Sequence, residues 1–431
     1  MNRLSVPNSW NLFNLRSSPY WQDPLGDGDQ THPLSLFVGR SSELNDLLHG
    51  LYGAGDSSSR RAVAGSAGVG KTTLVKQFKA KAVQKDYLTI DSYVPVMSDE
   101  TNEGLFGRVL SAVYDTILAN RPMTIDHPAM QAAQVLVRAS RERTTGGGLS
   151  ILGVGASVSQ STSATVPRDM LLDGPRVLRD LMTLVFNSDA RGVLLHINNL
   201  ENLGEADVQR AAVVLRDLRD PMLMHNGLHV VLVGTREAIH AAVLSYPQVR
   251  TTFGVTYVDP APRADVHALL QARYEYLALD RARPAVSPVA PAAVDVLYEL
   301  FNGDLRGLLK ALEDGVRPNI GLDGTGSAGP VALEAILPTL QRRYADDLAT
   351  LDEEARVKQL VKWGTTGPAT THTQKTLGAL WNARQSTVSE ALNFLIHAGY
   401  VASIPRRGMT PSQYVLTGLS RLIFPVSATN A

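Results

Sequence analysis

The sequence Gly65-Ser66-Ala67-Gly68-Val69-Gly70-Lys71-Thr72-Thr73 fits the phosphate-loop pattern G-x-x-x-x-G-K-S/T. An apolar run, Ala62–Ala64, precedes it, and a helical pattern, Leu74–Ala82, follows it. Glycines let the backbone N–H groups turn toward phosphate oxygens, and a helix N-terminus adds partial positive charge. In this setting Lys71 reaches the β and γ phosphates, and the Thr72 hydroxyl ligates magnesium. These nine residues therefore predict a site for ATP or ADP with Mg²⁺.

Short apolar runs alternate with helical patterns on both sides of this loop. Besides Ala62–Ala64, the predicted strands are Tyr87–Val96, Gly192–Asn198, His229–Gly234 and Val255–Val258. Strands that alternate with helices form a parallel sheet covered by helices on both faces. The predicted fold class is therefore an α/β P-loop NTPase.

The composition excludes several classes of protein. The chain has 431 residues, no cysteine, and 41 basic against 41 acidic residues. The absence of cysteine excludes disulfide scaffolds and Cys-ligated zinc, and it fits a reducing, cytoplasmic setting. The first residues lack the apolar stretch of a secretion signal, and the uncharged segment 146–167 is too rich in Gly, Ser and Thr for a membrane helix. We therefore expect a cytoplasmic protein with no membrane partner.

The patterns divide the chain into an arm at 1–35, an α/β nucleotide-binding domain at 36–260 with a hairpin or loop insertion at 144–167, a helical lid and connector at 261–330, and a linker helix with a winged helix-turn-helix domain at 331–431. The arm carries four large aromatic residues, Trp10, Phe13, Tyr20 and Trp21. A solvated tail has no need of them. The arm is expected either to fold back onto its own core or to contact a neighbouring subunit or partner.

The sequence leaves ATP hydrolysis uncertain. A phosphate-loop ATPase usually has a second strand that ends in acidic residues, which hold the magnesium water shell and orient the attacking water. The strand Gly192–Asn198 ends instead in Asn198 and Asn199, and an amide cannot act as a base. Glu201 lies three residues beyond Asn198 and could substitute. We expect ATP binding with weak or absent hydrolysis.

The C-terminal region is locally basic although the whole chain is neutral. From Arg356 to Ala431 there are eight basic residues and one acidic residue, Glu390, so the sum is 8 − 1 = +7. Starting at Asp352 adds three acidic residues and lowers the sum to +4. Such an imbalance is typical of binding to the phosphate backbone of double-stranded DNA.

The same region has the pattern of a winged helix-turn-helix. Thr373–Leu380 is predicted as the first helix, and the second opens at Gln385 with Thr387 and Glu390 as its capping box. Val388, Ala391, Leu392, Leu395 and Ile396 form its buried stripe. The outward-facing residues and the basic tip of the wing are the candidate DNA contacts. They are Lys375, Arg384, Gln385, Ser386, Ser389, Asn393, Arg406 and Arg407.

Three stretches together resemble a known family. They are Phe37-Val38-Gly39-Arg40 with Glu43-Leu44, then Gly303-Asp304-Leu305-Arg306, and the winged helix at the end. Their order is similar to that of the initiator-type AAA+ ATPases related to archaeal and eukaryotic origin-recognition proteins, over roughly residues 36–425. The resemblance implies an AAA+ domain whose nucleotide state controls DNA binding or assembly. It also implies a homo-oligomer or a partner protein.

The resemblance assigns roles to individual residues. Val38, Gly39 and Arg40 would border the adenine. Asn198 and Asn199 fall on the acidic pair of the family, Thr235 on the sensor 1 position and Arg306 on the sensor 2 arginine. Arg250 lies close to the arginine-finger position, which itself falls on Gln248.

Simpler interpretations remain open for these residues and for the whole chain. Arg306 could be a surface residue, Arg250 a partner in an ordinary ion pair, and Thr235 a helix cap. The chain as a whole could instead be a STAND-like nucleotide switch in signalling or phage defence, or a mobile-element targeting ATPase. The winged helix would then contact protein rather than DNA in the first case.

Overall fold

The computed structural model describes residues 8–26, 32–55, 57–145, 170–200, 203–321, 329–367, 371–404 and 412–424. The expected insertion at 144–167 lies outside these ranges beyond residue 145. None of the described helices is both long and apolar enough to cross a membrane.

The described part of the α/β region contains a six-stranded parallel sheet. The strands are β1 (Arg60–Gly65), β2 (Tyr87–Leu88), β3 (Val94–Pro95), β4 (Gly192–Asn198), β5 (Leu228–Gly234) and β6 (Gly254–Val258). Their order across the sheet is β2-β4-β5-β1-β6, and β3 pairs with β4. The glycine-rich loop thus leaves a central strand, and β5 separates that strand from β4.

Helices cover both faces of the sheet, which confirms the predicted fold class. These helices are α1 (Ser41–Tyr52), α2 (Lys71–Val83), α3 (Asn102–Asn120), α4 (Pro128–Thr145), α5 (Met170–Asn187), α6 (Glu205–Asp217), α7 (Arg236–Ile239) and α8 (Pro247–Arg250). Side chains alternate along each strand. Val63 of β1 packs toward α1 and α2, while its neighbours Ala62 and Ala64 pack toward the larger core that includes α3 to α6.

One predicted strand is wrong in extent. The run Tyr87–Val96 was expected to be continuous, but the structure has two short strands, β2 and β3, with irregular backbone between them. The carbonyl groups of Ile90 and Ser92 in this break accept hydrogen bonds from the buried Lys79 ammonium, at 2.7 and 2.9 Å. The break therefore satisfies a buried charge on α2, which the apolar pattern of the run did not reveal.

The lid consists of α9 (Arg263–Leu277), α10 (Pro291–Leu300) and α11 (Leu305–Ile320), and the long helix α12 (Leu333–Ala349) packs against it. The N-terminal arm joins the same core, because Trp10, Phe13, Leu15 and Tyr20 are buried among these helices. Residues 8–26 thus fold back onto the chain's own core, which is one of the two arrangements expected from its aromatic residues.

The C-terminal module has its own core around Trp363, Leu377 and Leu392. Its elements are α13 (Glu354–Thr366), β7 (His372–Thr373), α14 (Gln374–Trp381), α15 (Gln385–His397), β8 (Val401–Ile404), β9 (Gln413–Leu416) and α16 (Gly418–Ile423). The three strands form an antiparallel sheet in the order β7-β9-β8. This is the element order that the sequence predicts for a winged helix-turn-helix.

The predicted capping box of α15 is wrong. This helix begins at Gln385, so Thr387 lies inside its first turn, and its N-cap, Arg384, makes no side-chain cap. Glu390 instead pairs with Arg356 of α13 at 3.1 Å. The capping box of the module belongs to α14, where Thr373 and Thr376 cap each other. Ile396, expected in the buried stripe, is 38% exposed, while the other four stripe residues are buried.

Candidate nucleotide-binding site

The backbone of the glycine-rich loop takes conformations that require glycine. Gly68 has a φ of +73° and Gly70 a φ of +96°, both in the left-handed region. A side chain at Gly65 would lie 2.6 Å from the carbonyl oxygen of Val258 in β6, so close strand packing also requires glycine there. The loop leads from the end of β1 directly into the first residue of α2, Lys71. This is the geometry of an anion-binding loop at a helix N-terminus.

Lys71 is held against the loop from inside. Only 6% of it is exposed, and its Nζ donates hydrogen bonds to the carbonyl oxygens of Gly65 and Ser66, at 3.2 and 2.9 Å. Thr72 and Thr73 follow in the first turn of α2 and are half-buried. The structure thus gathers the ammonium, two hydroxyl groups and the helix N-terminus around one point.

A cavity that is open to solvent lies over this loop. Its lining comes from four parts of the chain: the loop with the start of α2, the segment before α1, the lid helices α9 and α11, and the N-terminal arm. The sequence-predicted residues that line it are Val38, Arg40, Ala67, Gly68, Val69, Gly70, Lys71, Thr72, Thr73 and Arg306. A cavity between a phosphate loop and a lid has the place expected for a nucleotide site.

Part of the cavity lining is apolar. Phe37 and Val38 line the cavity together with the lid residues Val266, Leu269 and Leu309. Such a surface suits the flat face of a base. Arg40 fixes the segment to the loop, because its guanidinium donates to the Val69 carbonyl oxygen at 3.1 Å. Of the predicted base-side residues, Val38 and Arg40 line the cavity, whereas Gly39 packs against Asp265 of α9.

Asp304 connects the lid to the phosphate loop. Its carboxylate caps α11 by accepting hydrogen bonds from the backbone N–H groups of Arg306 and Gly307, at 3.0 and 3.1 Å. The same carboxylate lies against Gly68, so that a Cβ atom on this glycine would overlap Asp304 Oδ1. Burial raises the pKa of Asp304, while the two N–H bonds and the charges of Arg306 and Lys71 lower it. The N-terminus of α11 is therefore in direct contact with the phosphate loop through Asp304.

Arg306 and Arg250 are exposed, whereas the Thr235 hydroxyl is used as a helix cap. Arg306 is exposed and lines the cavity two residues beyond Asp304. Thr235 accepts a hydrogen bond from the N–H of Ala238 at 3.2 Å and so caps α7. Arg250 is exposed at the end of α8, and within the described ranges no carboxylate pairs with it. The ordinary ion pair considered for Arg250 is thus absent there, and the helix-cap interpretation of Thr235 is confirmed.

The end of β4 carries amides instead of carboxylates. Asn198 Oδ1 is buried and accepts no hydrogen bond within the described residues. Asn199 has a φ of +85°, and its Nδ2 donates to the Val96 carbonyl oxygen at 3.2 Å. Neither asparagine is part of the cavity lining. Glu201, the proposed substitute base, lies outside the described residues.

Magnesium has few protein ligands here. Among the described residues there is no cluster of three His, Asp or Glu side chains that could hold a metal ion. Thr72 offers a hydroxyl oxygen in the cavity lining, and Asn198 Oδ1, which lies outside that lining at the end of β4, accepts no hydrogen bond within the described residues. Magnesium keeps several waters and is often bound through substrate phosphates together with one or two protein oxygens. These residues fit a magnesium ion that arrives with a nucleotide, not one held by the protein alone.

Six of the eight predicted DNA-contact residues lie in the described part of the C-terminal module. Lys375, Arg384, Gln385, Ser386 and Asn393 are exposed on α14 and at the front and outer face of α15. Ser389 is half-buried. Arg406 and Arg407 lie outside the described residues.

Sequence reasoning missed several residues of the cavity. The arm segment Gln22–Leu25 lines it, together with Asp265 and Arg273 of α9. Asp304 was quoted only as part of a motif and not as a contact of the loop. The aromatic residues of the arm indicated that it packs on the chain, but no local pattern shows which cavity a distant segment borders.

Comparison with known proteins supports the α/β assignment. The AAA ATPase domain family model matches residues 36–233. No curated protein matches the chain significantly.

Several solved structures have a related layout. The Aeropyrum pernix ORC1 protein in complex with DNA is 14% identical, with 90% of this chain and 92% of that chain covered and a TM-score of 0.44. The A. pernix ORC2 protein with ADPNP and ADP is 16% identical over 94% and 95% of the two chains, with a TM-score of 0.43. The family match over residues 36–233 and the parallel sheet around the glycine-rich loop show that the α/β part of this chain has the P-loop NTPase fold found in AAA+ proteins.

Proposed function

We propose that this chain binds ATP or ADP with magnesium and uses the nucleotide state to control how its basic C-terminal module meets double-stranded DNA. One observation carries the proposal: the cavity lies between the phosphate loop and α11, and α11 packs on the helix that leads to the C-terminal module. A ligand that binds differently to two positions of α11 shifts the population between them.

The nucleotide would be held at both ends of the cavity. The N–H groups of the loop and the Lys71 ammonium take the phosphates, and the Thr72 hydroxyl takes the magnesium ion. Bound magnesium neutralises charge on the β and γ phosphates. Arg306, exposed at the lid edge of the cavity, adds a positive charge on the other side. A third phosphate would therefore attract the start of α11 more strongly than a diphosphate would.

The path from the cavity to the C-terminal module is continuous packing. Leu308, Leu312 and Val316 of α11 share one core with Ile336 and Leu340 of α12. A side chain at Gly315 would lie 2.5 Å from Ile336, so the two helices are in close contact. Leu348, near the end of α12, is buried in the core of the C-terminal module. A rotation of α11 is thus expected to move α12 and the module together.

The proposed switch depends on binding and not on rapid turnover. Asn198 and Asn199 stand at the end of β4, where this class of ATPase usually has acidic residues. An amide oxygen can accept a hydrogen bond from a magnesium water but cannot take a proton from the attacking water. Glu201 is the remaining candidate base in that part of the sequence. We propose slow hydrolysis, so that ATP persists long enough to act as a signal.

The DNA interface would be the face formed by α14 and α15. Gln385, Ser386 and Asn393 are exposed near the front of α15, where side chains of a recognition helix meet base edges. Lys375 and Arg384 would neutralise phosphates on either side. Arg406 and Arg407 are proposed to act from the wing. We further propose that the working form contains a second copy or a partner protein, to which Arg250 is available because it is exposed.

The proposal is tested by DNA binding in the presence of ATP, of ADP and of neither, over a series of salt concentrations. The expected result is a nucleotide-dependent affinity that falls steeply with salt. Replacing both Arg406 and Arg407 with Gln should reduce the salt slope by about two, since each phosphate contact contributes roughly one.

Lys358→Gln is the matched control. This lysine lies in the same module but on α13, where it pairs with Glu354 at 2.6 Å. It should leave the slope unchanged. DNA affinity that ignores both the nucleotide and the arginine replacements would overturn the DNA part of the proposal. Nucleotide binding without any DNA affinity would favour the STAND-like switch.

A further inference from the structure

The described part of the N-terminal arm, residues 8–26, packs on the lid at several points. Phe13 and Leu15 are fully buried in the lid core. The backbone N–H of Arg16 donates to the Leu277 carbonyl oxygen at 2.9 Å, at the end of α9. The hydroxyl groups of Tyr20 and Tyr274 are 3.1 Å apart inside this core. Residues 8–26 of the arm therefore pack as part of the lid core.

Arg273 of α9 also contacts the arm, through both hydrogen bonds and an aromatic ring. It is 5% exposed, and its guanidinium donates to the carbonyl oxygens of Pro19 and Trp21, both at 2.9 Å. The same guanidinium lies 4.1 Å from the centre of the Trp21 ring. Burial lowers its pKa to about 9, so it stays charged at neutral pH. Within the described residues no carboxylate pairs with it, so the arm supplies its polar partners.

The segment that follows Trp21 borders the nucleotide cavity. Gln22, Asp23, Pro24 and Leu25 line it in succession, and Arg273 lines it beside them. Leu25 packs with Leu36, next to the Phe37 side chain. The phosphate loop lines the same cavity. The segment Gln22–Leu25 thus borders the space in which a nucleotide would sit.

We propose that residues 19–25 form a wall of the nucleotide site and that Arg273 is the positioning residue that holds this wall in place. The inference rests on the proposed nucleotide binding and adds to it a cause of nucleotide retention. The nucleoside end of the ligand leaves only when this segment loosens. Loss of the Arg273 contacts therefore speeds release, although no contact of the phosphate loop is changed.

The first test uses the absence of native cysteine, which makes a single introduced thiol uniquely reactive. Gln22→Cys places it at an exposed position on the cavity wall, and Asn11→Cys places it at an exposed position elsewhere on the same arm. The rate of maleimide labelling is measured with and without MgATP. Nucleotide should slow labelling of the first variant about tenfold or more and leave the second unchanged. If Gln22→Cys is labelled at the same rate with bound MgATP as without it, the proposal is overturned.

The second test measures release of a fluorescent ADP analogue by stopped flow. Arg273→Ala should raise the dissociation rate about tenfold, and Arg273→Lys should give an intermediate rate because it keeps the charge but loses the paired contacts. Arg263→Ala is the control, since Arg263 lies on the same helix and pairs with Glu299 at the surface. Unchanged release in Arg273→Ala would contradict the proposal. If Arg273→Ala fails to fold, the labelling test decides.

The experiments distinguish a chain that binds no nucleotide from one whose arm does not cover the bound nucleotide. If the wild-type chain binds no nucleotide, the proposed function fails. If it binds nucleotide with no protection at Gln22, only the wall fails.

Discussion

Replacing Gly68 with alanine tests the contact between the phosphate loop and Asp304 of the lid. Gly68 has a φ of +73°, and an alanine in the left-handed region costs about 1–2 kcal/mol. Its Cβ would also overlap Asp304 Oδ1, so the carboxylate would have to leave. Asp304 would then lose its cap on α11, which is worth about 1 kcal/mol. The expected destabilisation is about 2–3 kcal/mol in total.

Urea unfolding followed by circular dichroism measures these terms separately. Gly55→Ala is the control, because Gly55 has a similar φ of +58° with nothing within 4 Å of an added Cβ. It should show the backbone cost alone. In an Asp304→Ala background, Gly68→Ala should cost about 1 kcal/mol less than in the wild type, which is the coupling between the two sites. Equal costs in the two backgrounds, or equal costs at Gly55 and Gly68, would refute the reasoning.

The other predictions concern turnover and pH. Asn198→Asp should raise magnesium-dependent phosphate release about tenfold or more by restoring an acidic residue, whereas wild-type turnover already matching the variant would contradict the role given to Asn198. Burial lowers the pKa of His229 from 6.5 to about 4, so the unfolded chain takes up a proton between these values that the folded chain does not. The melting temperature should therefore fall as the pH drops from 6.5 toward 4. His229→Asn should make the fall shallower while keeping an acceptor for the Ser59 N–H, which bonds His229 at 3.1 Å. An identical pH profile in this variant would count against the assignment.

Local patterns were sufficient for the parts of the fold that local chemistry controls. The glycine-rich loop, four of the five predicted strands and the helices α14 and α15 of the C-terminal module follow from runs of a few residues whose periodicity sets their structure. The break between β2 and β3 did not follow, because it serves Lys79, a charge on another element. The capping box was misplaced by a helix that begins two residues before Thr387.

The part of the site formed by consecutive residues was predictable from the sequence, and the parts formed by residues far apart in the chain were not. The phosphate end comes from nine successive residues and was predicted from them. The remaining walls depend on contacts between distant positions: Arg273 and Pro19 are 254 positions apart, and Asp304 meets Gly68 from another domain. A single sequence has no periodicity that reports such contacts. The side chains that close the cavity therefore emerged only from the structure.

Calorimetric titration of ATP and ADP, each with magnesium, into the full chain measures whether the phosphate loop holds a nucleotide. We expect saturable binding of both nucleotides, weakened about 100-fold or more by Lys71→Ala. We also expect no change in Lys85→Ala, which removes an exposed lysine just after α2. Absence of binding, or binding that is indifferent to Lys71, would contradict nucleotide binding at the phosphate loop.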